Sequence, residues 1–203
     1  MSFDRGRFER SSLELAPFVL GGIFTHDGVS IRLTEVEAYI GDGVDPGSHA
    51  FRGRTARNAS MYGEPGHLYA YFTYGMHTCA NMVCSPEGVA SGLLLRGGEV
   101  VDGLDLARRR RTTSRSDHDL ARGPARLTIA LGITLADDGA DLNAPPFDFT
   151  FPDDEVDYST GPRTGVSGAG GSADFPWRFW IPGEPSVSPY RKSAPKRQSP
   201  GLS

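Results

Sequence analysis

The stretch Thr34-Glu35-Val36-Glu37-Ala38-Tyr39-Ile40-Gly41 decides how this chain is read. Its residues alternate, and side chains two apart on a β-strand share a face. Glu35, Glu37 and Tyr39 therefore point one way, away from Val36, Ala38 and Ile40. Upstream, Ile23-Phe24-Thr25 and Val29 to Ile40 flank His26-Asp27-Gly28, so the two runs predict a hairpin turning at Asp-Gly. An answering segment, His67-Leu68-Tyr69-Ala70-Tyr71-Phe72-Thr73-Tyr74-Gly75-Met76, alternates aromatic residues and turns at Tyr74-Gly75, with Met76 to Cys84 as its return. Gly92-Leu93-Leu94-Leu95-Arg96 reads as a buried strand. Its terminal arginine either caps the surface or projects into a cleft.

Around these strands the chain has 203 residues, enough for one domain with a sizeable core. Glycine (26) and proline (15) are abundant, so turns and loops are many. The net charge of −4 does not advertise nucleic-acid binding. All the basic residues are arginine apart from Lys192 and Lys196. Arginine suits forked phosphate contacts, but genomic base composition explains the same excess. Cys79 and Cys84 form neither a disulfide framework nor a zinc signature, which fits a reduced, cytoplasmic protein. The charged N-terminus lacks an apolar signal core, and no run is long enough to span a bilayer. The expected organisation is a flexible N-terminus over 1–12, a domain over 13–187, and a basic, disordered tail over 188–203.

Between the strand pairs, Gly41 to Gly66 is a long glycine-rich loop, and loops of that length in compact domains are functional or disordered. It carries His49, Arg52, Arg54, Arg57 and Asn58, which read as a solvated loop or as phosphate contacts. Val100 to Arg111 reads as a helix running out in four arginines. The window Arg108 to Arg126 holds seven arginines against two aspartates; it is a solvated helix end favoured by the macrodipole or a clamp on a duplex backbone. Gly123 to Ile133 predicts a helix opened by Pro124 and closed by Gly132, with Arg126 near its start. Phe175 to Ile181 reads as an aromatic core strand.

Several chemistries are excluded by spacing. There is no G-x-x-x-x-G-K-[ST] loop and no G-x-G-x-x-G opening a helix. There is also no G-x-S-x-G elbow and no HExxH pair. What remains is a carboxylate, several tyrosines, a histidine, Asn81 and Arg96. That set suits acid–base chemistry on a planar group with water as nucleophile, and it calls for no metal or cofactor.

The run from Thr34 to Gly41 resembles the E-x-E-A-Y-x-G motif of the alkyladenine (3-methylpurine) DNA glycosylase family. Further matches follow in order: Ser48-His49, Gly53-Arg54 with Arg57-Asn58, Met61-Tyr62, and Pro65-Gly66-His67-Leu68-Tyr69-Ala70-Tyr71. After these come Tyr74-Gly75-Met76-His77, Cys79-Ala80-Asn81, Leu94-Leu95-Arg96, Gly123-Pro124-Ala125-Arg126-Leu127 and Gly161-Pro162-Arg163. The resemblance implies a mixed α/β domain with a curved, mainly antiparallel sheet, peripheral helices and a protruding β-hairpin that inserts into DNA. The implied activity is monofunctional: an alkylated or deaminated purine, such as 3-methyladenine or hypoxanthine, is flipped from duplex DNA and its N-glycosidic bond hydrolysed, initiating base excision repair. Extrusion is needed because the bond is shielded in the stack.

By the same resemblance Glu37 is the base that activates water, Arg96 helps hold that water, and the Val166 carbonyl contacts it. Tyr39, His49 and Tyr71 stack on the flipped base, and Asn81 excludes guanine. Tyr74 is the wedge left in the stack, with Met76, Arg54, Arg57 and Arg126 also at the DNA. Glu35 reads as a bystander on its strand. The expected partner is damaged double-stranded DNA, met by a monomer with no obligate protein partner and no membrane. A non-catalytic duplex binder has no need of Glu37, and a nucleoside hydrolase would need an aspartate cluster that is missing.

Overall fold

Alternation along each strand becomes a sheet with two unlike faces. The computed structural model describes residues 3–73 and 75–193. Nine strands form among them: β1 (Ile23–His26), β2 (Val29–Ile40), β3 (Leu68–Thr73), β4 (His77–Val83), β5 (Ser91–Asp102), β6 (Ala121–Arg122), β7 (Phe147–Thr150), β8 (Ser159–Gly161) and β9 (Arg178–Trp180). The main order is β3-β4-β5-β2-β1-β7, with β6 on β5, β9 on the remaining edge of β2, and β8 on β9. Every strand pairing is antiparallel. The result is one mixed α/β domain with an open, antiparallel sheet.

The β1–β2 turn falls where the sequence placed it. Asp27 and Gly28 both take positive φ, +42° and +77°, the backbone that a two-residue hairpin needs to match strand twist. On β2 the even residues Val36 and Ala38 enter the main core; so do Leu68 and Ala70 of β3, Ala80 and Met82 of β4, and Leu93 and Leu95 of β5. Helices α1 (Ser12–Val19) and α3 (Pro124–Leu131) cover that face with Leu15, Val19, Leu127 and Leu131. The alternate residues, Glu37 and Tyr39 of β2, Tyr69 and Tyr71 of β3, Cys79 and Asn81 of β4, and Leu94 and Arg96 of β5, face the other side, where the site forms. α1 is opened by a capping box in which the Ser11 N–H donates to Glu14 Oε2 (3.0 Å). α3 has Pro124 in its first turn and Gly132 at φ +79° past its end.

One expectation is corrected. Val100 to Asp102 is strand, not helix: Ile31 and Ser30 of β2 pair with Val100 and Asp102, because β-branched residues favour the pleated ladder. The helix that follows, α2 (Leu104–Arg110), starts only after Gly103 at φ +73°. A Cβ there would lie 2.0 Å from the Gly28 carbonyl oxygen, so no other residue makes this crossing without a shift. Before α1, Phe8 is fully buried against Phe149 and Phe151, and Arg5 pairs with Asp141. Towards the end of the described residues, the Ser188 N–H donates to Glu35 Oε2, and the Arg191 carbonyl accepts from Gly165. Among the described residues no helix is long and apolar enough to cross a membrane.

Candidate active site

Register assembles the site. Tyr69 of β3 stands opposite Asn81 of β4, Asn81 opposite Leu94 of β5, and Leu94 opposite Glu37 of β2. This cross-strand row floors a cleft of about 700 Å³. The β2–β5 ladder slips at Leu33/Glu35 and again at Glu35/Val36, leaving Thr34 and Arg96 without partners in the ladder. Bulges of this kind re-aim side chains beside active sites. Arg96 is therefore a projected group, not a surface cap: it is 8% exposed and lines the cleft.

Glu37 is fully buried. Its Oε1 accepts the Thr164 N–H at 2.7 Å, and its Oε2 accepts the Tyr39 hydroxyl at 2.9 Å. Arg96 Nε lies 3.4 Å from Glu37 Oε1 and donates to Glu35 Oε1 at 2.9 Å. Burial pushes the Glu37 carboxyl above the usual carboxylate range; Arg96, the Thr164 N–H and the Tyr39 hydroxyl oppose the rise, and Glu35 adds to it. Burial and the adjacent Glu37 charge raise Tyr39 far enough to keep it a hydrogen-bond donor. For Arg96, burial works against the charge, but Glu37 and Glu35 outweigh it and hold the guanidinium protonated.

Aromatic rings form the walls. His49 meets Tyr71 edge-on with centroids 4.5 Å apart, Tyr71 stacks on Tyr69 at 5.4 Å, and His49 Nδ1 lies 3.1 Å from the Tyr69 hydroxyl. Burial, with Arg57 adding to it, lowers the His49 pKa, so the ring is neutral near pH 7. Burial pushes the Tyr69 hydroxyl up to about 12. Asn81 Nδ2 donates to the Tyr69 carbonyl at 3.1 Å, which fixes the amide. Gly92, opposite Tyr39, leaves room for Met61, whose Cε would stand 3.3 Å from a Cβ there.

Of the residues singled out from the sequence, Glu37, Tyr39, His49, Tyr71, Asn81, Arg96 and Val166 all line this one cleft. The Val166 carbonyl oxygen lies against Gly171, where a Cβ would be 2.0 Å away. Met76 is 69% exposed beyond the end of β3, Arg57 Nη2 donates to the Phe72 carbonyl at 2.9 Å, and Arg54 lies over the Tyr62 ring. Tyr74 lies outside the described residues. Arg126 is on the surface and pairs with Asp119, although Pro124, two residues earlier, reaches the cleft. The arginine run divides. Arg110 caps the Ala130 and Leu131 carbonyls at the end of α3, Arg111 is buried and donates to the Leu120 carbonyl, and Arg108 pairs with Asp105 and Asp117.

Sequence reasoning missed the buried ionic groups. Arg163 and Asp45 form a bidentate pair at 2.5 and 2.6 Å, with side chains inaccessible to water. Arg163 also donates to the Ala38 and Gly170 carbonyls and lies 4.4 Å from the Tyr39 ring centroid. One guanidinium thus ties the loop bearing His49 to β2 and to the loop bearing Thr164 and Val166. A Cβ on Gly47 would stand 2.6 Å from the same guanidinium. No local signal marks the pair, since Asp45 shares its Gly-Pro loop with Asp42. Thr164 and Arg191 also line the cleft and were not singled out.

A buried carboxylate beside a guanidinium, at the floor of a cleft walled by rings, equips an enzyme for general-base attack of water on a substrate bearing a planar base. The family model for methylpurine-DNA glycosylase matches residues 6–185. A protein of Leifsonia xyli subsp. xyli carrying the provisional name 3-methyladenine DNA glycosylase is 64% identical over 196 residues, covering 93% of this chain and 92% of the relative. Proteins of the same provisional name from Streptomyces avermitilis (54%, covering 94% and 92%) and Corynebacterium efficiens (50%, covering 90% and 93%) are similar over comparable spans. The chain belongs to the methylpurine-DNA glycosylase family.

Proposed function

We propose that this chain is a monofunctional DNA glycosylase that takes alkylated or deaminated purines, 3-methyladenine and hypoxanthine among them, out of duplex DNA and hydrolyses the N-glycosidic bond. The observation that carries the reading is Glu37, a fully buried carboxylate at the floor of a ring-lined cleft and within 3.4 Å of Arg96 Nε. The flipped purine enters between Tyr39, Tyr71 and His49, which offer stacking faces. Neutral His49 supplies a ring nitrogen for a hydrogen bond. A cationic alkylated base also gains from the electron-rich faces of the tyrosines.

Water then attacks C1′ as Glu37 takes its proton. The C1′–N bond breaks, its electron pair leaves with the purine, and the products are free base and an abasic sugar. Arg96 steadies the carboxylate and the water, with the Val166 carbonyl as a further contact. Among the described residues no lysine lines the cleft. Schiff-base formation and strand cleavage are therefore not part of the reaction. The fixed Asn81 amide opposes the exocyclic amine of guanine. Exposed Met76, Arg54, Arg57 and Arg126 meet the DNA, with Tyr74 as the wedge in the vacated stack. The enzyme acts in the cytoplasm on duplex DNA as a monomer.

The test is release of free base from duplexes carrying hypoxanthine or methylated purines, followed by chromatography. Wild type releases base and Glu37→Gln binds the same duplex without releasing it. Full turnover by Glu37→Gln would remove Glu37 from the mechanism. No release by wild type from any lesion duplex would remove the activity.

A further inference from the structure

Glu35 lies two residues before Glu37 on the same face of β2, and it is equally buried. Its carboxylate is saturated. Oε1 accepts from Arg96 Nε (2.9 Å), Arg178 Nε (2.6 Å) and Ser188 Oγ (3.0 Å), while Oε2 accepts the Ser188 N–H (2.6 Å). Room for it comes from Gly97, its ladder partner, where a Cβ would stand 3.1 Å from Glu35 Oε2. Arg178 also donates to the Ser188 carbonyl (2.7 Å), so strand β9 and the last packed segment close around the same carboxylate.

The working arginine is held by this second carboxylate. Arg96 Nε is closer to Glu35 (2.9 Å) than to Glu37 (3.4 Å). Its Nη groups have no partner among the described residues, although the side chain lines the cleft. A guanidinium has five N–H donors in a fixed plane, so anchoring Nε fixes where the other four point. We propose, building on the glycosylase reading, that Glu35 is a positioning residue: it grips Arg96 by Nε and aims the free Nη donors at the water held by Glu37. Buried ion clusters contribute little net stability compared with apolar replacements. A cluster of two carboxylates, Glu35 and Glu37, with two guanidiniums, Arg96 and Arg178, is better explained by orientation of the reacting groups.

The charges make a signed prediction. Glu37 is faced by Glu35 and Tyr39 from its own strand, and by Arg96 from β5. Arg178 is its ladder partner on β9, and Tyr71 and Cys79 lie towards it from β3 and β4. The Thr164 N–H contacts it, and Arg163 stands behind Tyr39. In Glu35→Gln two guanidiniums face one carboxylate, so Glu37 ionises at lower pH. In Arg178→Gln two carboxylates share one guanidinium, and Glu37 ionises at higher pH.

The experiment measures single-turnover base release from a methylated-purine duplex between about pH 5 and 9, with duplex binding and folded fraction measured in parallel. Glu35→Gln lowers the plateau rate about 100-fold through misplacement of Arg96 and moves the acid limb down by about one pH unit. Binding of the lesion duplex is retained. Glu35→Asp returns the limb to the wild-type position because the charge is back, and Arg178→Gln moves it up. Coincident limbs in all variants, with rates that follow folded fraction alone, would overturn the proposal. If Glu35→Gln does not fold, the upward limb of Arg178→Gln and the restored limb of Glu35→Asp decide it. Should wild type release no base, the glycosylase reading itself fails and takes this role with it.

Discussion

Replacing Asp45 by asparagine removes the charge from one half of a pair that water does not reach. Both side chains are inaccessible, the two contacts are 2.5 and 2.6 Å, and the further partners of Arg163 among the described residues are carbonyls and aromatic faces. Removing one partner of a buried pair costs about 3–5 kcal/mol because the other charge is left uncompensated. Asparagine keeps one acceptor and the Ala38 and Gly170 carbonyls remain, so the loss falls at the lower end, about 3 kcal/mol. For a chain of this length that corresponds to a drop in Tm of about 6–12 °C. Activity falls as well, at temperatures where the variant is folded, because Arg163 spans the three segments that carry His49, Tyr39 and Thr164. A displacement of about 1 Å at the reacting groups costs about 100-fold in rate. Thermal melts followed by circular dichroism give the first quantity and single-turnover base release well below the melt gives the second. The double variant Asp45→Asn with Arg163→Met separates them: stability returns in part because no unpaired buried charge remains, while the rate stays low. An Asp45→Asn protein that melts within about 2 °C of wild type, or that turns over at the wild-type rate, would refute the clamp.

Three further outcomes follow from single groups. Thr164 Oγ1 is the one buried side-chain polar atom without a hydrogen-bond partner among the described residues; Thr164→Val keeps the shape and the N–H to Glu37, and raises stability by about 1–2 kcal/mol. A lower Tm would mean that the hydroxyl has a partner in solution. Arg57 is exposed beside the end of β3, so Arg57→Ala weakens duplex binding whatever the sequence and reduces the slope of log K against log salt by about one; an unchanged slope would place it away from phosphate. Glu37→Gln changes how stability depends on pH. The folded pKa of Glu37 lies above its unfolded value, so its contribution is present in full below the unfolded value and is lost as pH rises through the folded one. The melting temperature of Glu37→Gln minus that of wild type therefore rises as pH rises from about 4, and a difference that falls instead would reverse the sign of the shift.

How much of this could be read from the residues depended on whether a signal was periodic. Alternation placed Glu37, Tyr39, Tyr69 and Tyr71 on one face and Val36, Ala38, Leu68 and Ala70 on the other, and the sheet keeps both sets. The Asp27-Gly28 turn and the Pro124 and Gly132 ends of α3 were legible because each needs a particular backbone. Val100 to Asp102 misled because a strand running directly into a helix has no periodic break, and only Gly103 marks it. The long-range electrostatics were not legible at all. Asp45 and Arg163 are 118 positions apart, and Glu35 and Ser188 are 153 apart. Nothing local to either member distinguishes a buried, paired charge from a solvated one.

That asymmetry explains why Glu35 read as a bystander. A second carboxylate on an exposed strand face would be ordinary, and burial is a property of what folds over the strand. Here β9 and residues 186–191 cover β2, bringing Arg178 and Ser188 to Glu35 and the Arg191 carbonyl to Gly165. The last packed segment thus touches both halves of the site, the carboxylate that grips Arg96 and the loop that donates to Glu37. The proposed mechanism needs Glu37 to be dry enough to be basic and still reachable by one water. Covering the strand from the C-terminal side, with no partner for the Arg96 Nη groups among the described residues, meets both requirements with the same residues.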